Sequence, residues 1–193
     1  MKIGIFGGSF NPVHNGHLIA AQYVLDEYKL DRIYFIPSYE STYKPITTNS
    51  RHRKKIIQLA INNNSRFLLN TCELNNKEVS YTVNTLKKIY NKCNRYYLIV
   101  GNEWLTKFNK WHNYEKIFSF TDVIFINRTE KQTGLPGFLK KYKNKISFST
   151  NPVVNISSTM IRKLIHEQKK IRYLVPEKVY AYINRNRLYQ RSE

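Results

Sequence analysis

Two histidines three positions apart, His14 and His17, follow the turn-rich segment Gly7-Gly8-Ser9-Phe10-Asn11-Pro12-Val13. At that spacing on the first turn of a helix, both imidazoles can face one pocket. The glycines let backbone N–H groups come close to a bound anion, and the helix N-terminus adds the positive end of its dipole. Together these groups suit phosphate oxygens, held by main-chain donors and two imidazoles, cationic or neutral. Plainer readings make His14 a helix cap and His17 a surface residue, or make the pair half of a zinc site. Zinc would need a third ligand, and His52, His112 and His166 offer no such spacing. Neither G-x-G-x-x-G nor G-x-x-x-x-G-K-[ST] is present, which disfavours a dinucleotide oxidoreductase and a Walker-type kinase.

A second candidate clamp lies near the C-terminus, in Asn155-Ile156-Ser157-Ser158-Thr159-Met160-Ile161-Arg162. Ser157 or Ser158 is placed to cap a helix, and Arg162 falls about one turn further on, so free N–H groups, hydroxyls and a guanidinium gather at one helix start. Capping alone would also account for the serines. Two further segments carry polar main chain beside aromatic rings. Ser80-Tyr81-Thr82 opens a helix, and Gly101-Asn102-Glu103 follows a strand with Trp104, Trp111 and Tyr114 beyond it. Isolated tryptophans are usually core residues, so the rings alone do not define a site.

The elements that must position these residues are short apolar runs alternating with helical patterns, which argues for an α/β chain around a mostly parallel sheet. Strands are expected at Ile3–Phe6, Ile33–Ile36, Phe67–Thr71, Tyr96–Val100, Val123–Asn127 and Ile146–Phe148. Helices are expected at Gly16–Tyr28, Arg51–Asn62, Thr82–Tyr90, Ser158–Glu167 and Pro176–Asn184, the first two carrying clear apolar stripes. Ser38–Asn49 and Thr129–Lys145 lack periodicity and read as loops, either binding covers or plain surface connections. In such a sheet, ligands bind beyond the carboxyl ends of the strands near the switch in strand order.

With 193 residues, one domain spanning residues 1–193 is expected. Hydrophobic residues at 41% exclude a disordered tail. The 32 Lys and Arg against 13 Asp and Glu give a formal charge of +19, which attracts polyanions without choosing among nucleic acid, membrane and nucleotide. The basic residues are spread along the whole chain among Asn, Tyr and Ile, as a biased codon pool would leave them. Cys72 and Cys93 are too few for a disulfide framework and lack zinc-site spacing. No apolar stretch is long enough for a signal peptide or membrane span, so a cytoplasmic location and no membrane partner are expected.

GGSFNPVHNGH resembles the (T/H)-x-G-H nucleotidyltransferase signature, and its G-G-(S/T)-F-(D/N)-P-x-H-x-G-H form is similar to that of bacterial nicotinate-nucleotide adenylyltransferases. The segment I-S-S-T-x-I-R is similar to the second ATP-binding motif of the same family, and the likeness covers essentially the full chain. The resemblance implies a Rossmann-like, doubly wound sheet with helices on both faces. It implies His14 and His17 as catalytic residues, with Gly7, Gly8, Ser9, Phe10, Lys44, Ile156, Ser157, Ser158 and Arg162 binding ATP. The family carries a basic residue near Lys44, although this chain reads SYESTYKP where a proline pair and His are usual. For the acceptor, nicotinate mononucleotide, it implies Asn11, Ser80, Tyr81, Thr82, Gly101, Glu103 and Trp111. Phe108-Asn109-Lys110-Trp111 keeps the family's F-x-x-W, so Trp111 rather than Trp104 is expected to stack on the pyridine ring. Two departures stand out: Asn11 where many members have Asp, and Glu103 at the Asp of G-x-D.

The implied chemistry is attack of the acceptor's phosphate oxygen on the α-phosphorus of ATP with loss of pyrophosphate. An ionised phosphate is already a nucleophile, so the protein supplies positioning and charge neutralisation. Mg²⁺ bound chiefly through phosphate oxygens is the expected cofactor, with no protein metal ligand assigned. Rival readings keep the chemistry but change the acceptor to nicotinamide mononucleotide or phosphopantetheine. The length and the S-Y-T and F-x-x-W segments disfavour phosphopantetheine. A basic nucleic-acid binder using its 15 tyrosines for stacking is a different class, disfavoured by the lack of an RNP-like or helix-turn-helix signature. Homo-oligomerisation is left open.

Overall fold

The computed structural model describes residues 1–40, 46, 48–76, 78–128 and 134–190. Six strands form one sheet: β1 Lys2–Gly8, β2 Arg32–Pro37, β3 Phe67–Leu69, β4 Arg95–Gly101, β5 Asp122–Ile126 and β6 Ile146–Phe148. The helices are α1 Asn15–Glu27, α2 Ser50–Ile61, α3 Cys72–Asn76, α4 Thr82–Ile89, α5 Tyr114–Ile117, α6 Ser158–His166 and α7 Glu177–Arg185. Two 3₁₀ segments, Asn102–Lys110 and Gly137–Lys145, complete the described elements.

Every strand pair is parallel, in the order β3-β2-β1-β4-β5-β6. Alternation along each strand feeds two cores. Tyr97 and Ile99 of β4 and Ile124 and Ile126 of β5 face α1, α2, α6 and α7, meeting Val24, Ile56, Ile161 and Ile183 in one cluster. Tyr96, Leu98 and Val100 of β4 and Val123 and Phe125 of β5 face the other way, onto Val83 and Leu86 of α4, Phe108 and Ile117. A strand buried on both faces reads as a continuous apolar run, which is why these strands were visible as runs rather than as alternations. The result is the expected doubly wound layout with helices on both faces. No helix among the described residues is long and apolar enough to cross a membrane.

Three local differences from the sequence reading have identifiable causes. β1 continues through Gly7 and Gly8, which pair in register with Ile36 and Pro37, so the glycines finish the strand instead of opening the loop. The left-handed backbone of the turn falls on Phe10 (φ 45°), and no glycine among the described residues has a positive φ. β3 stops at Leu69 because the Asn70 side-chain oxygen accepts from the Cys72 N–H at 2.9 Å, turning the chain into α3. In the aperiodic stretch Thr129–Lys145, residues 137–145 are a 3₁₀ segment anchored by buried Leu139, and 129–133 lie outside the described residues. A three-residue turn does not produce the 3.6-residue stripe that marks an α-helix.

From β1 the chain builds outward through β2 and β3, then crosses back over the sheet to β4 on the other side of β1. The switch in strand order therefore lies between β1 and β4. The loops leaving Gly8 and Gly101 diverge there and leave a crevice at the carboxyl ends of the strands.

Candidate active site

That crevice is a cavity of about 740 Å³, large enough for a dinucleotide-sized ligand. Its floor at the switch point is Gly7, Gly8, Ser9, Phe10 and Asn11 from β1 and its loop, and Gly101 and Glu103 after β4. Ser157, Ser158 and Arg162 close one side, while Ser80, Tyr81, Thr82 and Trp111 close the other. Segments far apart in sequence thus meet around one space. A Cβ built on Gly7 would meet nothing within 4 Å, so the missing side chain leaves cavity volume open for a ligand.

The two motif histidines take different places. His17 and Arg128 line the cavity and also a small adjoining depression, which they share with Gly16, Asn151, Ile156 and His14, itself only 1% exposed. Both imidazoles thus open on that depression, as the spacing suggested, but only His17 also reaches the main cavity, and Ile156 shares the rear position. The cause lies at the start of α1. His14 is the extended N-cap residue, its ring folded beneath Gly16 and packed on the His17 ring at a centroid separation of 3.7 Å. Its backbone N–H donates to His17 Nδ1 at 3.2 Å. A nitrogen that accepts a hydrogen bond carries no proton, so the neutral His17 ring bears its proton on Nε2.

Burial keeps both rings neutral. His14 is lowered to about 3, first by burial and then by the positive charge of Arg128. His17 is lowered well below its ordinary value by burial, with the neighbouring His14 and Arg128 adding to the effect. The pair therefore offers neutral N–H donors, and the positive charge of the site comes from arginine. Arg128 was not singled out from sequence. It follows β5 by two residues, donates its backbone N–H to Asn102 Oδ1 at 3.1 Å, and pairs its guanidinium with Glu103 Oε1 at 3.2 Å. A cation just past the carboxyl end of the strand beside β4 was the available signal.

The second clamp is tied directly to the first. Ser157 caps α6 by accepting from the Met160 N–H at 3.1 Å, and Ser158 Oγ donates to the Pro12 carbonyl at 2.8 Å. Arg162 Nη1 donates to the Asn11 carbonyl at 2.8 Å. The α6 N-terminus is thus hydrogen-bonded to the glycine-rich loop, and Ser157, Ser158 and Arg162 line the same cavity as Gly7–Asn11. Lys44 lies outside the described residues.

On the opposite wall, Trp111 packs on Phe108 at 4.9 Å and meets Trp104 edge-on at 5.7 Å. Its buried Nε1 has no hydrogen-bond partner among the described residues, and it lines the cavity. Tyr81 lies over His112 at 4.4 Å. Below them sits Glu73, missed from sequence, whose Oε1 accepts from Thr85 Oγ1 at 2.6 Å and whose carboxyl is raised above its ordinary range by burial.

A family model described as cytidylyltransferase-like matches residues 5–164. Proteins described as probable nicotinate-nucleotide adenylyltransferases are similar over nearly the whole chain. The one from Caldicellulosiruptor saccharolyticus is 36% identical over 98% of this chain and 100% of its own length. The one from Dictyoglomus turgidum is 38% identical over 98% of this chain and 96% of its own. The chain belongs to the nicotinate-nucleotide adenylyltransferase family. Among solved structures, a Plasmodium falciparum nicotinic acid mononucleotide adenylyltransferase complexed with NaAD aligns with a TM-score of 0.80. It is 22% identical, and the alignment covers 97% of each chain, so the fold is shared end to end.

Within this family's frame, the two departures acquire geometry. Asn11 is 4% exposed, and its Oδ1 has no hydrogen-bond partner among the described residues. Glu103 folds back over Gly101, where a Cβ would collide with its carboxyl group, and reaches Arg128. The extra methylene relative to Asp is taken up by that fold-back.

Proposed function

We propose that this chain transfers the adenylyl group of ATP to nicotinate mononucleotide, releasing pyrophosphate and forming nicotinic acid adenine dinucleotide in NAD biosynthesis. One observation carries the reading: two phosphate cradles and an aromatic wall converge on a single cavity at the switch point between β1 and β4. Family membership names the reaction that such a convergence serves.

The acceptor's phosphate oxygen forms a bond to the α-phosphorus as the bond from that phosphorus to the bridging oxygen of the β-phosphate breaks, and the electron pair leaves with pyrophosphate. His17 Nε2–H donates to a phosphate oxygen and strengthens that bond as charge moves during transfer. The α6 N-terminus and Arg162 hold the triphosphate, and Arg128 adds a positive field behind His17. Its ion pair with Glu103 spans the carboxyl ends of β4 and β5, between the two halves of the cavity. Trp111 offers a ring face, and the polar main chain of Ser80–Thr82 offers donors for a ring carboxylate. His14, behind His17, fixes the tautomer through its backbone N–H and supports the reacting imidazole from below.

The uncommitted Asn11 Oδ1 is a neutral oxygen that fits the hydration shell of a Mg²⁺ bound through phosphate oxygens. When bound, that ion offsets repulsion among the phosphates. Pyrophosphate release with ATP and either the acid or the amide mononucleotide tests the proposal. Turnover with the acid at least tenfold above that with the amide is expected, and no turnover with either would refute the acceptor assignment.

A further inference from the structure

Arg53 of α2 is among the largest fully buried side chains, at 1% exposed, and it does not line the cavity. A buried guanidinium is costly unless its donors are used. Four of its N–H donors reach four backbone carbonyls. Nη1 donates to Ser9 at 3.0 Å and to Ser38 at 2.7 Å, Nη2 to Tyr39 at 3.2 Å, and Nε to Thr48 at 3.2 Å. Those carbonyls belong to the loop after β1, the loop after β2 and the approach to α2. Burial lowers the Arg53 pKa, with Tyr189 and Glu73 acting against that fall through their charge.

The peptide geometry extends the connection. A trans peptide points its C=O and N–H in opposite directions. In the Ser38–Tyr39 peptide, the carbonyl accepts from Arg53 while the Tyr39 N–H donates to Ser80 Oγ at 3.0 Å. The Ser80 N–H in turn donates to the Glu40 carbonyl at 3.1 Å, and Glu40 forms a parallel bridge with Val79. On the other side, the Ser38 N–H donates to the Gly8 carbonyl at 2.9 Å, and Arg53 holds Ser9 directly. Residues 38–40 are thus a strap with the phosphate loop bound to one side and the Ser80–Thr82 segment to the other, and Arg53 sets its orientation.

We infer that Arg53 is a positioning residue that couples the ATP cradle to the acceptor segment, so that a disturbance on one side changes affinity on the other. The inference rests on the adenylyl-transfer reading for which side binds which substrate. A lysine keeps the charge but offers three donors at one point, which cannot span the fork of four carbonyls.

The test combines Arg53→Lys and Ser80→Ala with steady-state kinetics for each substrate and calorimetric binding of a non-hydrolysable ATP analogue. Arg53→Lys is expected to raise KM for both ATP and nicotinate mononucleotide by tenfold or more. Methylguanidinium is expected to restore part of the loss in Arg53→Ala. Ser80→Ala removes the acceptor-side hydroxyl, with its contacts to Tyr39 and Glu73, and leaves Arg53 and Ser9 in place, yet it is expected to weaken the ATP analogue by threefold or more. Arg53→Lys enzyme with a lowered Tm but unchanged KM values would overturn the inference. If the Arg53 variants do not fold, unchanged analogue binding in Ser80→Ala overturns it instead. Analogue binding needs no turnover, so failure of the wild-type chain to release pyrophosphate refutes the reaction separately.

Discussion

Acid should destabilise this protein in a way traceable to His14. Its imidazole is 1% exposed and lowered to about 3, against about 6.5 in an unfolded chain. Between those values the unfolded chain binds a proton that the native chain does not, so native stability rises with pH across that window. The stabilising contribution is complete above about pH 6.5 and declines as pH falls toward about 3. The slope reaches roughly 1.36 kcal/mol per pH unit once the unfolded imidazole is fully protonated, so moving from pH 6.5, where it is half protonated, to about 4.5 removes about 2.3 kcal/mol through this residue alone. That is a large share of a typical folding free energy of about 5–15 kcal/mol. His14→Gln eliminates the titrating ring, and urea denaturation at a series of pH values reads the difference. The variant is expected to show a shallower decline, by about 2.3 kcal/mol over those two pH units, whatever its absolute stability at neutral pH. His17 contributes with the same sign in both proteins because burial is the main cause of its lowering, and the loss of the His14 contribution to that lowering makes the variant's decline shallower still. Parallel curves for wild type and variant would refute the claim that His14 is buried neutral.

Two further outcomes concern the cavity. His17→Ala removes one donor from the transferring phosphates and should lower kcat by about 10²–10³-fold with the thermal transition little changed; nitrogen NMR of the wild-type ring should show the neutral Nε2–H form at pH 7, and an Nδ1–H form would remove His17 from its assigned role. Gly7→Ala adds a methyl where nothing stands within 4 Å, so the fold should be as stable or slightly more so while kcat/KM for ATP falls by at least tenfold; unchanged kinetics would place the triphosphate away from β1.

The parts of the fold that were legible are those whose signal is local. β4 and β5 are buried on both faces, so their apolar runs announced strands. α2 and α6 carry their caps in adjacent residues, Asn49 accepting from Arg51 and Ser157 from Met160. The 3₁₀ segments at 102–110 and 137–145 lacked a usable period. Within the site, the glycine-rich loop and the I-S-S-T-x-I-R clamp were legible because each is a contiguous strand-to-helix turn. Arg53, Glu73 and Arg128 were not, because each acquires its meaning only from partners brought near by folding. In a chain carrying 32 Lys and Arg, no composition signal marks out a guanidinium that four carbonyls surround.

The asymmetry between His14 and His17, of which only His17 also lines the main cavity, goes beyond what spacing alone shows. Positions three apart do lie on one helix face, but His14 is the N-cap, with extended rather than helical backbone. From there its ring turns inward and packs under its neighbour, and its N–H becomes available to His17 Nδ1. The arrangement has a functional logic. Protonating His17 would require Nδ1 to give up that hydrogen bond, in a place where burial and Arg128 already oppose a second positive charge. A neutral imidazole with a fixed Nε2–H keeps its donor across the physiological pH range, whereas a freely titrating one would change charge within it. Positive charge is left to the guanidinium groups of Arg128 and Arg162. On the proposed mechanism, the two tasks that the sequence reading assigned jointly to two histidines are separated: arginines would set the field, and one oriented imidazole would donate to the transferring phosphate.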